Sequence, residues 1–240
     1  MKYAVIAAGE GSRLAEEGVC LPKPLVRING EALIDRLLRI FMDNEADEIV
    51  VICNNLSQMV SNHLHDVQEK GLAGKRIPLK VVVKTTPSSM HSFYEISHLL
   101  DVPCFCLTTV DTIFSEKMFS EYIRQFKQVV EQNGNGLMGI TDFVDDEKPL
   151  FVGTDAQWNI TGFYDVQNGC KWISAGIYGL TQQAIPVLRR CVANGESRMR
   201  NFQRALVTEG LALKAFPFDT VFDIDHAADI EKAERFLNEK

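Results

Sequence analysis

The first half of the chain alternates short apolar runs with longer segments whose apolar residues recur every three to four positions. A short apolar run bounded by glycine, asparagine or aspartate is typical of a buried strand, and a recurrence of three to four is typical of an amphipathic helix. The runs predict strands at 3–8, 47–53, 79–83 and 102–108. The helical pattern predicts helices at 31–44, 57–69, 88–100 and 115–132.

Strands that alternate with helices indicate an α/β fold, Rossmann-like, with a mostly parallel sheet and helices on both faces. In such sheets ligands bind beyond the carboxyl ends of the strands. We therefore expect four loops to lie on one rim, namely 9–13, 54–55, 84–89 and 109–111.

The second half has a different pattern, with short strand-like segments separated by turns. Strands are predicted at 136–141, 150–154, 159–164 and 172–180, followed by helices at 182–193 and 199–209. Later strands at 211–216 and 220–224 precede a closing helix at 227–238. This indicates a mixed or antiparallel addition to the parallel sheet, and we find no linker, repeat or low-complexity segment.

Length, charge and cysteine content limit the number of domains, the kinds of partner and the cellular compartment that we expect. A length of 240 residues fits one α/β domain or two small ones. The formal charge of -7 argues against a nucleic-acid partner, since that surface would be basic. The six cysteines form no Cys-x-x-Cys pair, which favours a reducing cytoplasm. No apolar stretch approaches the ~18 residues of a membrane span, so we expect no membrane partner.

The loop after the first strand carries candidate phosphate-binding groups. Gly9 and Gly11 flank Glu10, and glycine lets a ligand approach the backbone N–H groups closely. Arg13 and Lys23 add cations suited to phosphate oxygens. The loop is neither the dinucleotide fingerprint nor a Walker A loop. A tight turn followed by a solvated basic pair is the alternative interpretation.

Carboxylates follow two distant strands. Asp111 comes after the fourth predicted strand, and Asp223 and Asp225 lie at the end of a late one. One or two carboxylates, with water and phosphate oxygens, are the usual ligands of Mg²⁺, so we expect a magnesium site here. The alternative is that Asp111 caps a turn and Asp225 caps the last helix.

The motif Ala-Ala-Gly-x-Gly-Ser-Arg-Leu from Ala7, followed by Pro-Lys-Pro-Leu from Pro22, resembles the signature of the nucleotidyltransferases that join a nucleoside triphosphate to a sugar 1-phosphate. The resemblance implies a Mg²⁺-dependent transferase with Arg13 and Lys23 as catalytic residues, and with metal ligands at Asp111 and at Asp223 or Asp225. His226 stands where that family usually has a threonine, so the resemblance does not decide whether Asp223 or Asp225 is the closer metal ligand. The expected nucleotide-binding residues are Ala7, Ala8, Gly9, Glu10, Gly11, Ser12, Arg13, Lys23, Asn54, Thr86, Ser88 and Ser89.

Motifs in the second half resemble the acceptor side of that family. Ala-Gly-Ile-Tyr around Gly176 resembles a stretch that lines the acceptor pocket, and Glu-Lys-Pro around Lys148 resembles one that holds the acceptor phosphate. The Glu-Lys-Pro motif precedes the 159–163 strand, whereas the family usually has it after that strand. Lys171, which follows the strand, is therefore the other candidate to hold the acceptor phosphate. Asp142 completes the acceptor-binding residues that we expect.

We therefore expect one domain, 1–240, with a nucleotide-binding half at 1–135 and an acceptor-binding half at 136–240. Its substrates would be a nucleoside triphosphate and a small phosphomonoester, first a sugar 1-phosphate. The alternative implied by the resemblance is phosphocholine with CTP, because relatives of similar length make that product. Aromatic and acidic residues in the second half would suit a quaternary ammonium, and sheet packing is the other interpretation of the aromatic residues. Outside this class stand a metal-dependent glycosyltransferase and a non-catalytic nucleotide-binding regulator. A homo-oligomer is compatible with the sequence, which identifies neither the base nor the acceptor.

Overall fold

The computed structural model describes residues 1–9, 11–145 and 148–238. These parts of the chain contain thirteen strands and eight α-helices. The strands are β1 (Lys2–Ala7), β2 (Arg27–Ile28), β3 (Glu31–Ala32), β4 (Glu48–Cys53), β5 (Leu79–Val83), β6 (Cys104–Thr109), β7 (Thr112–Ile113), β8 (Gly136–Thr141), β9 (Phe151–Thr154), β10 (Ile160–Tyr164), β11 (Trp172–Thr181), β12 (Leu213–Phe218) and β13 (Phe222–Asp223). The helices are α1 (Ser12–Glu16), α2 (Leu33–Asp43), α3 (Gln58–Lys70), α4 (Ser89–Ile96), α5 (Glu116–Glu131), α6 (Ala184–Ala193), α7 (Met199–Thr208) and α8 (Ala227–Asn238).

The parallel part of the main sheet has the order β5-β4-β1-β6. Ile6 of β1 pairs in register with Ile52 of β4 and with Thr109 of β6, so the carboxyl ends of all three strands meet at one edge. The side chains that follow these strands therefore lie on a common rim, as the α/β prediction requires.

The antiparallel addition begins at β11, which pairs with β6 on one side and with β8 on the other. The amino end of β11 extends beyond β6 and pairs with β9, and β9 pairs with β10. The sheet then curls, because β12 pairs with β8 while Ala215 N donates to Trp158 O at 2.8 Å near the start of β10. This curled part lies beside the rim where β6 ends.

Two hydrophobic cores cover the two faces of the sheet. One contains Tyr3, Val5 and Ala7 of β1 together with side chains of α2, α3, α5 and α8. The other contains Ala4 and Ile6 with side chains of α4, α6 and α7. Alternate residues of β1 thus point into opposite cores, which is why its sequence is apolar throughout.

Short elements differ from the sequence-based expectations. The strand expected at 220–224 is reduced to β13, which pairs with β7 outside the main sheet. The helix α1 and the hairpin β2–β3 were not predicted, because elements of two to five residues are too short to show a hydrophobic period. No helix in the described ranges is long and apolar enough to cross a membrane. All six cysteines are free thiols.

Candidate active site

The loop after β1 is braced by a buried amide. Asn54 is 6% exposed, and its Nδ2 donates to Ala8 O at 3.1 Å, while its Oδ1 accepts from the backbone N–H groups of Leu56 and Ser57 at 3.1 Å each. Two strands of the sheet are thereby linked at the rim. Asn54 was expected to contact a nucleotide, and in this structure its amide holds the loop. Glu10 lies outside the described residues.

Gly11 brings this loop against Lys23. It has a φ of +64°, in the left-handed region that favours glycine, and an added Cβ would lie 3.1 Å from Lys23 Cβ. Helix α1 begins at the next residue, Ser12, and contains Arg13. The glycine therefore permits both the turn into α1 and the close approach of Lys23.

Lys23 bridges two carboxylates that are far apart in the chain. Its Nζ donates to Oδ2 of Asp111 and to Oδ1 of Asp225, at 2.8 Å in each case. Burial opposes the ammonium charge, but the two carboxylates outweigh it and raise the pKa of Lys23. The catalytic candidate and two of the three metal-ligand candidates thus form one cluster at the rim.

Asp225 receives a second cation, since Arg13 Nη1 donates to its Oδ2 at 3.1 Å. Burial acts against the charged carboxylate, yet the hydrogen bond from Lys23 and the nearby positive charges lower the pKa of Asp225. Arg13 and Asp225 are both partly open to solvent, with 53% and 41% of their side chains exposed. Arg13 and Lys23, the two cations predicted to bind phosphate, therefore both donate hydrogen bonds to the carboxylate of Asp225.

A second contact joins α1 to α8. Glu17, just after α1, accepts from Ala227 N at 2.6 Å and lies 2.6 Å from Nδ1 of His226. Asp229 Oδ2 accepts from the backbone N–H groups of Asp225 and His226 at 3.0 and 2.7 Å. These bonds fix the backbone that carries Asp225. Sequence reasoning missed Glu17, and it had no local signal, because the contact joins residues 210 positions apart.

Asp223 lies close to the same cluster. Crowding by protein atoms, followed by the negative charge of Asp111, raises the pKa of the Asp223 carboxyl, although the residue keeps an exposed surface. Asp225 is the aspartate that shares Lys23 with Asp111, whereas Asp223 stands beside Asp111 without that shared cation.

The cluster fits a hard divalent cation. The Lys23 ammonium is a cation held between a carboxylate oxygen of Asp111 and one of Asp225. Oxygen donors of this type suit Mg²⁺, which takes one or two carboxylates and completes its shell with water and phosphate. In the described ranges no group of three or more His, Cys, Asp or Glu side chains is arranged to hold a metal by itself.

The loop before α4 carries the three hydroxyls expected to contact a nucleotide. Ser88 caps α4, with its Oγ accepting from His91 N at 3.4 Å and lying 2.9 Å from His91 Nδ1. Thr86 Oγ1 lies 2.6 Å from Ser92 Oγ, and Ser89 is the first residue of α4. The capping role that the sequence also allowed is thus present at Ser88.

On the acceptor side, Gly176 lies at the point where β11 passes the end of β6. Its φ is +71°, and an added Cβ would lie 3.4 Å from Thr112 Oγ1. Nearby in sequence, Lys171 Nζ lies 4.4 Å from the centre of the Trp172 ring and 2.9 Å from Oδ2 of Asp142. Asp142 and Lys171 are therefore paired with each other, and their acceptor-binding roles stay predictions.

Lys148 lies in a different place, at the mouth of a recess beside the start of α7. The recess is also lined by Arg198, Arg200, Arg204 and Asp165. The Glu-Lys-Pro motif had drawn attention to Lys148, but Glu147 lies outside the described residues. Sequence reasoning missed the arginines; the only signal was the spacing of Arg200 and Arg204, which places them on one face of a helix.

Two curated relatives match a short part of the chain. They are the glucose-1-phosphate cytidylyltransferases of Salmonella typhimurium and Salmonella typhi, each 25% identical over 63 residues. The match covers 26% of this chain and 24% of each relative's length. It therefore spans about a quarter of those proteins.

Solved structures match the whole fold. An inositol-1-phosphate CTP transferase from T. maritima has a TM-score of 0.79 at 18% identity, over 99% of this chain and 96% of that one. A candidate glucose-1-phosphate thymidylyltransferase from Bacillus anthracis, in complex with a sucrose, has a TM-score of 0.83 at 16% identity, over 100% of this chain and 96% of that one. A UDP-glucose pyrophosphorylase complexed with UDP-glucose has a TM-score of 0.80 at 14% identity, over 99% of this chain and 98% of that one. These likenesses confirm the α/β fold class.

The family is shown by a longer match. Residues 3–161 match the model of the MobA-like NTP transferase domain, which is more than half of the chain. The matched range includes the glycine loop, Lys23 and Asp111, and it ends inside β10. The chain belongs to the family of MobA-like NTP transferase domains.

Proposed function

We propose that the protein is a Mg²⁺-dependent nucleotidyltransferase that transfers a nucleoside monophosphate from a nucleoside triphosphate to a sugar 1-phosphate and releases pyrophosphate. The observation that carries this proposal is the contact of Lys23 with both Asp111 and Asp225 beside the glycine loop. Membership of the NTP transferase family supports the reaction class.

The reaction is an in-line displacement at the α-phosphorus. An oxygen of the acceptor phosphate forms a bond to the α-phosphorus, the bond to the β-phosphate oxygen breaks, and pyrophosphate carries away the negative charge. Such a transfer depends mostly on positioning and on charge neutralisation. Backbone N–H groups at Gly9 and Gly11 would hold the leaving pyrophosphate, Arg13 would neutralise it, and Lys23 would contact the attacking and α-phosphates.

Asp111 and Asp225, with Asp223 beside them, would hold Mg²⁺, which supplies charge stabilisation to the phosphate oxygens. The ammonium of Lys23 now balances the two carboxylates. When Lys23 turns to the phosphates, the carboxylates are released to other cations. The chain thereby couples the arrival of phosphate to the exposure of its acidic ligands.

The two halves of the chain would divide the substrates between them. Residues 1–135 carry the glycine loop and the α4 cap, and residues 136–240 carry Gly176 and the curled sheet. We propose that they act as the nucleotide-binding and acceptor-binding parts of one domain, joined by the β6–β11 pairing. We also propose a cytoplasmic location.

The acceptor class is supported by what the similar proteins are named for. Four of the five are named for glucose 1-phosphate or inositol 1-phosphate, and the fifth was solved with UDP-glucose. All of these small molecules carry a phosphate on a polyhydroxylated ring. A sugar 1-phosphate is therefore the acceptor that we propose first.

One observation favours phosphocholine, with CTP, as a second candidate. The Lys171 ammonium stacks on Trp172 and pairs with Asp142, so this place already accommodates a cation between an aromatic ring and a carboxylate. Trp158 lies next to Trp172, with ring centres 5.6 Å apart. A ligand ammonium would need Lys171 to move away, and Lys171 is 65% exposed.

Pyrophosphate release tests the proposal. The common nucleoside triphosphates are crossed against sugar 1-phosphates and phosphocholine, with and without Mg²⁺, and Asp111→Ala is compared with Asp219→Ala, which removes an exposed aspartate. We expect release that needs one triphosphate, one acceptor and Mg²⁺, and that only Asp111→Ala abolishes. Triphosphate binding without release from any pair would instead favour a non-catalytic binder. Transfer of sugar from a nucleotide sugar would favour a glycosyltransferase.

A further inference from the structure

A recess of about 570 Å³ opens between the start of α7 and the segment that leads into β9. Three arginines line it, at positions 198, 200 and 204, together with Lys148 and Asp165. The chain as a whole carries a net charge of -7, so this concentration of cations runs against its general character. Local excess positive charge in a concave surface attracts anions.

Two of the arginines are held in place by the protein. Arg200 donates through Nη1 to Oδ1 of Asp165 at 2.7 Å and through Nη2 to Lys148 O at 2.9 Å. Arg204 lies 2.6 Å from the other oxygen of Asp165 and donates through Nε to Phe163 O at 3.2 Å. Both side chains are mostly shielded, with 25% and 32% exposed. Such fixed guanidinium groups lose little conformational freedom when they bind a ligand.

Among the described residues that line the recess, positive side chains outnumber negative ones. Their one carboxylate, Asp165, is shared by Arg200 and Arg204, and the guanidinium groups of Arg204 and Arg200 lower the pKa of the Asp165 carboxyl. Glu196, next to the recess, accepts a hydrogen bond from Asn201. The side chain of Arg198 makes no hydrogen bond or ion pair with any part of the chain that the structure describes. The guanidinium groups therefore retain N–H donors for an anion.

The recess lies next to the acceptor side of the candidate active site. Ser174 N donates at 2.9 Å to the carbonyl oxygen of Leu150, the residue that follows Lys148 and Pro149 in the chain. Ser174 Oγ donates at 2.9 Å to Oε1 of Gln203, which belongs to α7. Ser174 is two residues before Gly176 on β11, so the same strand contacts both the acceptor side and the elements that line the recess. An acceptor bound at Gly176 with its phosphate toward Lys23 would extend its second group toward the recess.

We propose that this arginine recess binds a second anionic group of the acceptor, a carboxylate or a second phosphate, distinct from the phosphate that reacts. The proposal rests on the proposed function, since it assigns the acceptor of that same site. It makes the preferred acceptor a phosphomonoester with two acidic groups, which neutral sugar 1-phosphates lack. Arg200 and Arg204 would fix the second group, and Arg198 would close on it from the exposed side.

Equilibrium binding tests the proposal without turnover. Glucose 1-phosphate, glucuronic acid 1-phosphate and glucose 1,6-bisphosphate are titrated calorimetrically into the protein with Mg²⁺ and non-reacting α,β-methylene triphosphates. The three ligands share one ring and one reacting phosphate. We expect one or both doubly acidic ligands to bind at least tenfold more tightly than glucose 1-phosphate, and we expect added NaCl to reduce this preference.

Variants then locate the preference. Arg198→Gln changes an exposed side chain that makes no hydrogen bond or ion pair with the described residues, so we expect it to fold normally, and Arg200→Gln removes a fixed side chain. We expect both to lose the tenfold preference, while Arg189→Gln, an exposed arginine of α6, retains it. Equal affinity for the three ligands in the unaltered protein, or a preference that survives both recess variants, would overturn the proposal.

The two proposals fail in different ways. Pyrophosphate release with glucose 1-phosphate, together with equal binding of all three ligands, would support the transferase and overturn the recess. A tenfold preference that Arg198→Gln removes, with no release from any acceptor, would support the recess as an anion site and overturn the transferase.

Discussion

The ammonium of Lys23 lies 2.8 Å from Oδ1 of Asp225, although 202 positions separate the two residues in the chain. The same ammonium reaches Asp111, so a residue from the first loop, one from the middle of the chain and one from its end form a single charged cluster. This contact defines the candidate active site.

Replacing Lys23 by alanine is expected to lower kcat by about 10²–10³-fold, the usual cost of removing a group that stabilises transition-state charge. The measurement is the rate of pyrophosphate release at saturating substrates. Lys70→Ala is the control, because that lysine is exposed and forms a salt bridge with Asp66 one helical turn away. Near-normal turnover of Lys23→Ala would contradict the proposed mechanism.

Mg²⁺ is expected to stabilise Lys23→Met more than the unaltered protein. Without the ammonium, Asp111 and Asp225 face each other with no cation between them, and a metal ion that binds only the folded state raises its stability. We expect an additional rise in Tm of about 2–4 °C, equivalent to about 1 kcal/mol. Thermal unfolding with and without MgCl₂ measures it. The same rise in a Lys23→Met/Asp111→Asn double variant would show that the ion binds elsewhere.

Gly176→Ala is expected to raise the KM for the acceptor while leaving triphosphate binding unchanged. The added Cβ enters the space beside Thr112, where the acceptor is expected to lie, and alanine at a φ of +71° costs about 1–2 kcal/mol. Gly195→Ala is a matched control, since it has a φ of +78° and nothing within 4 Å of the added Cβ. If both variants lose stability and only Gly176→Ala raises KM, the effect belongs to the site. Unaltered acceptor kinetics in Gly176→Ala would remove Gly176 from the acceptor pocket.

The contact between His63 of α3 and Asp35 of α2 is expected to make stability depend on pH. The atoms His63 Nε2 and Asp35 Oδ1 lie 2.6 Å apart, and the hydrogen bond raises the pKa of His63 above its ordinary 6.5. Because the pKa of His63 is raised in the folded state, the contact contributes about 1 kcal/mol to the free energy of unfolding, and this contribution is complete below pH 6.5. It is lost as the pH rises through the pKa that His63 has in the folded protein.

Urea unfolding of the unaltered protein and of His63→Ala at pH 5.5 and pH 8.5 measures this contribution. The difference in the free energy of unfolding should be larger at pH 5.5. His65→Ala is the control, because His65 lies on the same helix, is exposed and contacts Gln68 instead of an acid. A difference that does not change with pH would show that the ion pair adds nothing to stability.

Local patterns predicted most of the fold. The expected ranges of the main strands and helices agree with the structure to within about two residues, except for α4, which ends at Ile96 instead of residue 100. The agreement arises because burial on a strand or a helix face leaves a period that can be read locally. The predictions were weakest in the last third. The strand expected at 220–224 is two residues long and pairs with β7, and its tertiary partner could not be identified from periodicity.

The candidate site was predictable in its members and less so in their arrangement. The rim position of Asp111 followed from its place after a strand, and the structure brings it to Lys23. Asp225 and Asp223 could not be ranked from the sequence, whereas the structure shows that Asp225 shares the Lys23 ammonium. The nucleotide and acceptor roles of Thr86, Ser89 and Asp142 remain predictions.

The sequence by itself determined the fold class, the shared rim of the strand ends and the residue types available there, because each depends on a repeating or adjacent pattern. Only the tertiary structure decided which charges meet. Lys23 contacts Asp225, Glu17 contacts the start of α8, and Arg200 and Arg204 share Asp165. Electrostatic contacts depend on distances of a few ångströms between groups far apart in the chain, and packing alone sets those distances.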